Sequence, residues 1–154
     1  MKKLELKDVI DTALPKNEIF QRIMEFFNQN QIKIKQMNKK IITGMYGSRL
    51  KAHTRGIRAE PSILPVKIAI NLQNKEYGTK LDILLKKGYI GIPPLGVNKK
   101  YIMILARLMN NLKLQFHKEM YLKEETSKCK NCGKVIIYEN QRFCEICGTE
   151  LLEI

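Results

Sequence analysis

Four cysteines lie in the last 26 residues of the chain, as Cys129-Lys-Asn-Cys132-Gly133 and Cys144-Glu-Ile-Cys147-Gly148, with eleven residues between the two pairs. A thiolate is a soft anionic ligand, and a two-residue gap lets both sulfurs of a pair turn toward one ion. Two such pairs supply the four sulfurs of a closed tetrahedral site, each about 2.3 Å from a zinc ion. A glycine follows the second cysteine of each pair. With no Cβ it can take a left-handed turn that aims backbone N–H groups at the sulfurs. The spacing therefore predicts one structural Zn2+ held by Cys129, Cys132, Cys144 and Cys147.

Between the pairs, Lys134 to Tyr138 reads as a strand, Glu139-Asn140 as a turn and Gln141 to Phe143 as the returning strand. With Phe143-Cys144-Glu-Ile-Cys147-Gly148-Thr149-Glu-Leu151, this tail resembles the short zinc-ribbon family, whose members carry CxxCG, a hairpin, then FCxxCGTxL. The resemblance covers residues 127–152. It departs at the proline often found inside each CxxC, where Asn131 and Ile146 stand instead. Rubredoxin-like iron sites use similar knuckles with a longer stretch between them. Redox CxxC pairs want a βαβ context that this tail lacks, and a disulfide staple is disfavoured in a reducing compartment. The resemblance implies a metal-nucleated hairpin, of a kind found in nucleic-acid machinery and in protein-binding appendages. Residues 126–154 carry four basic and four acidic side chains, with Tyr138 and Phe143 as the aromatics. That balance points to a protein partner or a structural role for the tail.

The second chemistry is charge. Lys plus Arg number 28 against 15 Asp plus Glu, a net charge of +13, and the excess belongs to residues 1–125. Positions 26–59 hold no acid but carry Lys33, Lys35, Lys39, Lys40, Arg49, Lys51, Arg55 and Arg58, with His53 among them. Such a stretch is a concentrated positive field suited to phosphates. These eight residues are candidate nucleic-acid contacts, made to the backbone and so of low sequence specificity. The plain alternative is a lysine-rich composition that only keeps the protein in solution.

Catalytic signals are lacking. Gly44-Met-Tyr-Gly47 and Gly88-Tyr-Ile-Gly91 match GxxG, but strand-like segments flank both, whereas a KH domain needs helices there; they read as bulges or turns. His53 and His117 stand beside no cysteine or acid pair, the carboxylates are dispersed, and no nucleophile elbow or phosphate-binding loop occurs. Nothing in the chain argues for an enzyme.

The elements that must position these residues follow from periodicity. Leu4 to Leu6 is a short strand. Ile19, Phe20, Ile23, Met24, Phe26 and Phe27 recur at helical spacing, giving a helix over residues 15–29 with Pro15 in its first turn. Strands are predicted over 31–37, 41–46, 48–55, 66–73 and 79–86, from alternation or, for 41–46, from β-rich composition. In the third of these, Arg49, Lys51, His53 and Arg55 would share one face. After the loop Gly88 to Gly96, a helix over 98–118 carries Tyr101, Leu105, Leu108, Leu112 and Phe116 on one stripe. Residues 123–128 are a polar linker. The expected fold class is α+β: an antiparallel sheet with an N-terminal helix and a long C-terminal helix over residues 1–122, then a small zinc ribbon over 129–154.

That order resembles the helix-grip arrangement of START-like proteins over residues 3–118, where a curved sheet wraps a long terminal helix; a plain two-layer α+β sandwich is the fallback. The leading expectation is a non-enzymatic, nucleic-acid-associated zinc-ribbon protein with a basic sheet face. The START-like resemblance implies the alternative, a ligand-binding or adaptor module with an apolar cavity and the ribbon as a protein-interaction appendage. The longest apolar run, Tyr101 to Ala106, is far below the roughly 20 residues of a membrane span, and the N-terminus MKKLELKD has no signal-like apolar region. A cytoplasmic protein is expected.

Overall fold

The structure is a computed structural model and describes residues 4–55, 60–88, 96–116, 127–136 and 141–151. The chain runs β1 (Glu5–Thr12), α1 (Lys16–Gln29), β2 (Lys33–Met37), β3 (Ile41–Tyr46), α2 (Arg49–Arg55), a 3-10 turn (Pro61–Ile63), β4 (Val66–Asn74), β5 (Thr79–Lys87), α3 (Val97–Phe116), β6 (Ser127–Lys128) and β7 (Val135–Ile136). Five strands form an antiparallel sheet in the order β1-β5-β4-β3-β2, and β6 pairs with β7 in a separate ribbon.

Alternation decides which face of the sheet is covered. Ile10, Ile42, Tyr46, Val66, Ile68, Ile70, Leu72, Leu81, Ile83 and Leu85 are buried, and the register sets Ile42 beside Ile70 and Ile70 beside Ile83. α1 adds Ile19, Ile23, Phe26 and Phe27, and α3 adds the stripe from Tyr101 to Phe116, so both helices join the sheet in one core cluster. Arg22 ties the helices together: its Nη2 meets Glu18 at 2.6 Å and its Nη1 donates to the carbonyl of Gln115 at 2.6 Å. No described helix is long and apolar enough to cross a membrane.

Two expectations need correction. Residues 48–55 are not a strand. Gly47 takes φ +70°, the Ser48 Oγ accepts the Lys51 N–H at 3.3 Å, and the Ser48 carbonyl accepts the Ala52 N–H at 3.0 Å, which starts α2. Arg, Leu, Lys and Ala are all good helix formers, and Ala52 is buried under the turn. The core sheet therefore has five strands, one fewer than the alternation suggests. The first GxxG match is also neither bulge nor turn at its start: Gly44 lies inside β3 and faces the core.

Candidate metal centre and cationic groove

The two cysteine knuckles are built alike. In each, the first cysteine's N–H donates to a carbonyl five residues on (Cys129 to Lys134, Cys144 to Thr149, both 2.8 Å). In each, the glycine N–H returns to that cysteine's carbonyl (Gly133 to Cys129, Gly148 to Cys144, both 2.9 Å). Gly133 and Gly148 take φ +72° and +71°, the left-handed conformation their position in the motif requires. This duplicated turn aims all four sulfurs at one point, where they lie within 4.8 Å of one another.

Cys129 and Cys147 sulfurs are 3.6 Å apart and those of Cys132 and Cys144 3.5 Å. A disulfide needs about 2.05 Å, so these are four free thiols. Sulfurs at tetrahedral corners about 2.3 Å from one ion are about 3.8 Å apart, so the cage is of metal-binding size. Its protonation says the same. Hydrogen bonds from the Thr149 hydroxyl and the Asn131 side chain bring Cys147 down to about 5. Cys132 is pushed up to about 12; the Lys134 backbone acts to lower it, but lost hydration and the three neighbouring cysteines outweigh that. One thiolate can settle among its neighbours, but four adjacent anions need a cation.

The basic candidates are dispersed rather than aligned. Lys33 and Lys35 lie on the exposed edge strand β2, where the register shifts between Ile34 and Gln36 and leaves Lys35 without a paired residue on β3. Lys39 and Lys40 are in the turn to β3, held by the Asn38 Oδ1, which accepts the N–H groups of Lys40 and Ile41 at 2.9 and 2.8 Å. Arg49, Lys51 and Arg55 belong to α2. At 100° per residue, Arg49 and Lys51 stand about 200° apart, so the common face expected for these cations does not form. Arg58, like His117, Tyr138 and linker positions 123–126, lies outside the described residues.

One groove does gather cations. A cavity of about 550 Å³ is lined by Gln29 and Asn30 at the end of α1, by Lys33 of β2, by Tyr46 and Ser48 at the β3–α2 corner, and by Lys51 and Arg107, with no acid among its described lining residues. Arg107, on α3, donates from Nη2 to the Tyr46 Oη at 3.0 Å. Sequence reading missed Arg107 because it lies outside the acid-free stretch and only the α3 crossing brings it there.

The tail meets the body along α3. An ideal Cβ on Gly148 would lie 3.3 Å from the Met103 Cγ and 3.6 Å from the Lys99 Cγ. Ala106 and Asn110 are buried, and with Gln141, Arg142 and Phe143 of the tail and Asp8 of β1 they line a second cavity of about 300 Å³. Lys113, on the same side of α3, forms an ion pair with Asp8. Residues 99, 103, 106, 110 and 113 follow helical spacing, so α3 carries two contact stripes. The second went unread because lysine, alanine and asparagine look like a solvated face.

No family model matches the chain, and no curated protein matches it. Among solved structures, a likeness is found to the one titled "Crystal structure of Ara h 8.0201", at 9% sequence identity and a TM-score of 0.34, covering 75% of this chain and 98% of that chain. A likeness at that level carries no argument about what the present chain binds.

Proposed function

We propose that this protein is a non-catalytic binding protein of the cytoplasm that holds nucleic acid in the groove lined by Lys33, Lys51 and Arg107, with one structural zinc ion in its C-terminal ribbon. The observation that carries the reading is the convergence of three cations, without an acid among the described lining residues, with the Tyr46 and Ser48 hydroxyls and the amides of Gln29 and Asn30. Cations with hydroxyl and amide donors are the usual partners of phosphate oxygens. The contacts would be few and directed to the backbone, so affinity would depend on salt more than on sequence. Four free cysteines in one cage suit a reducing compartment and a zinc ion, which needs four ligands and no redox partner.

The apolar-cavity alternative draws less support. Three cavities among the described residues open to solvent, while Tyr101, Leu108 and Leu112 of α3 are fully buried against the sheet. The ribbon's own contact is with protein: it rests on α3.

The test is binding to an oligothymidylate and to a mixed-sequence duplex over a range of salt. Each phosphate neutralised contributes about −0.9 to the slope of log K against log salt on duplex and about −0.7 on single strands. Replacing Lys33, Lys51 and Arg107 together by Gln should shrink the slope by about 2–3 units. An unchanged slope, or a parent protein that binds neither probe at low salt, rejects the proposal.

A further inference from the structure

We infer, resting on the nucleic-acid reading, that the cationic groove takes the phosphorylated end of a strand, a terminal phosphomonoester, and not a run of internal phosphates.

The groove offers hydrogens and has its acceptors occupied. Tyr46 and Ser48 flank Gly47, and both line the cavity. The Tyr46 Oη accepts from the Arg107 Nη2 at 3.0 Å, and a guanidinium has no acceptor atom to offer in return. The Tyr46 hydroxyl hydrogen is therefore left to find an acceptor, and none is present among the described residues. Ser48 stands the same way: its Oγ accepts the Lys51 N–H at 3.3 Å, and its own hydrogen has no acceptor among the described residues. At the rim, the Gln29 Oε1 accepts from the Gln115 Nε2 at 3.0 Å, which leaves the Gln29 amide hydrogens to the groove. Three lining groups thus have an accepting atom engaged by the protein and hydrogens unspent, so the complement is rich in acceptors.

Charge makes that acceptor anionic and says how much charge it brings. Arg107 and Lys33 are exposed, and no described acid forms an ion pair with either. With Lys51, three cations meet at one cavity of about 550 Å³. That volume lies within the range of compact ligand sites and is not a track along a chain. A terminal phosphomonoester carries about −1.5 to −2 charge at neutral pH on three acceptor oxygens, whereas an internal phosphodiester carries a single charge. A terminal phosphate together with the phosphodiester next to it matches three cations; a lone internal phosphate matches one.

The corner that presents the two hydroxyls is fixed in advance. Gly47 takes φ +70°, a Cβ there would collide with the Leu64 carbonyl, and the Ser48 N–H donates to the Ile63 carbonyl at 3.0 Å. Donors held in place before binding cost little ordering when the anion arrives.

The test is fluorescence anisotropy of the zinc-loaded full chain with oligothymidylates that end in hydroxyls, in a 5′-phosphate or in a 3′-phosphate. A longer hydroxyl-ended oligothymidylate of charge equal to the phosphorylated ones is the control. A phosphorylated end, 5′ or 3′, should bind about tenfold tighter than both hydroxyl-ended probes, as expected for hydrogen bonds to a charged group. Tyr46→Phe keeps the ring and removes the hydroxyl, and Arg107→Gln changes an exposed position where the fold is not at stake. Each should cut the preference to about threefold or less. Equal binding of every probe, or a gain matched by the longer control, overturns the end preference and leaves the nucleic-acid reading standing. A preference unchanged in both variants places the phosphate elsewhere and overturns it too. Failure of every probe to bind at low salt overturns both.

Discussion

Gln31 takes a left-handed backbone at φ 53°, in a position where glycine is the usual occupant. It closes α1. The Ile32 N–H reaches the Phe27 carbonyl at 2.8 Å and the Gln31 N–H the Asn28 carbonyl at 3.1 Å, which completes a Schellman cap. An L-residue there costs about 1–2 kcal/mol. Gln31→Gly should therefore raise stability by about 1 kcal/mol, seen as a higher urea midpoint with an unchanged slope; a lower midpoint would mean that the glutamine side chain contributes more than the strain removes. Gln31 also lines the cationic groove, so the same variant tests whether the amide contributes to anion binding. At this scale legibility follows sequence distance. The cysteine cage was readable because each pair closes locally over three residues. Arg107 and Tyr46 were not, because 61 residues separate them.

Among the elements, β3 shows how closely α1 approaches the sheet. A Cβ on Gly44 would come within 2.7 Å of the Ile32 Cγ2 and 2.8 Å of the Phe27 Cε2, both on buried residues. Gly44→Ala should cost about 1–3 kcal/mol by overpacking, measured by chemical denaturation. A neutral result would show that Phe27 can move aside and that this contact is loose. β4, β5, α1 and α3 were legible as types because each repeats one period long enough to distinguish it. Residues 48–55 were not: in a seven-residue helix, charges alternating with Leu50 and Ala52 match a strand pattern as well as two helical turns. The stronger signal was Gly47-Ser48, a left-handed turn followed by a capping residue. Alternation across β2 was similarly legible as strand, but the register shift between Ile34 and Gln36 leaves no mark in the pattern.

At the scale of the whole molecule, the tail and the body share α3. The sheet covers one stripe of that helix, and the knuckle unit meets the other at Lys99, Met103, Ala106 and Asn110. The tail is too small to bury a core of its own, so the metal should supply most of its folding energy. Body strands β4 and β5 pair over nine residues each and face a complete core, with no described tail residue in the sheet. Chelating the metal, or changing Cys144 to Ser, should therefore unfold the tail and uncover the second stripe while the sheet stays intact. Peroxide oxidation of Met103 should accelerate at least severalfold, because its Cγ lies against Gly148 of the tail. Amide protection across β4 and β5 should persist. Loss of that protection would mean that the tail is part of the body's cooperative unit. Unchanged methionine oxidation, with the metal shown to be gone, would mean that the tail does not cover α3 in solution.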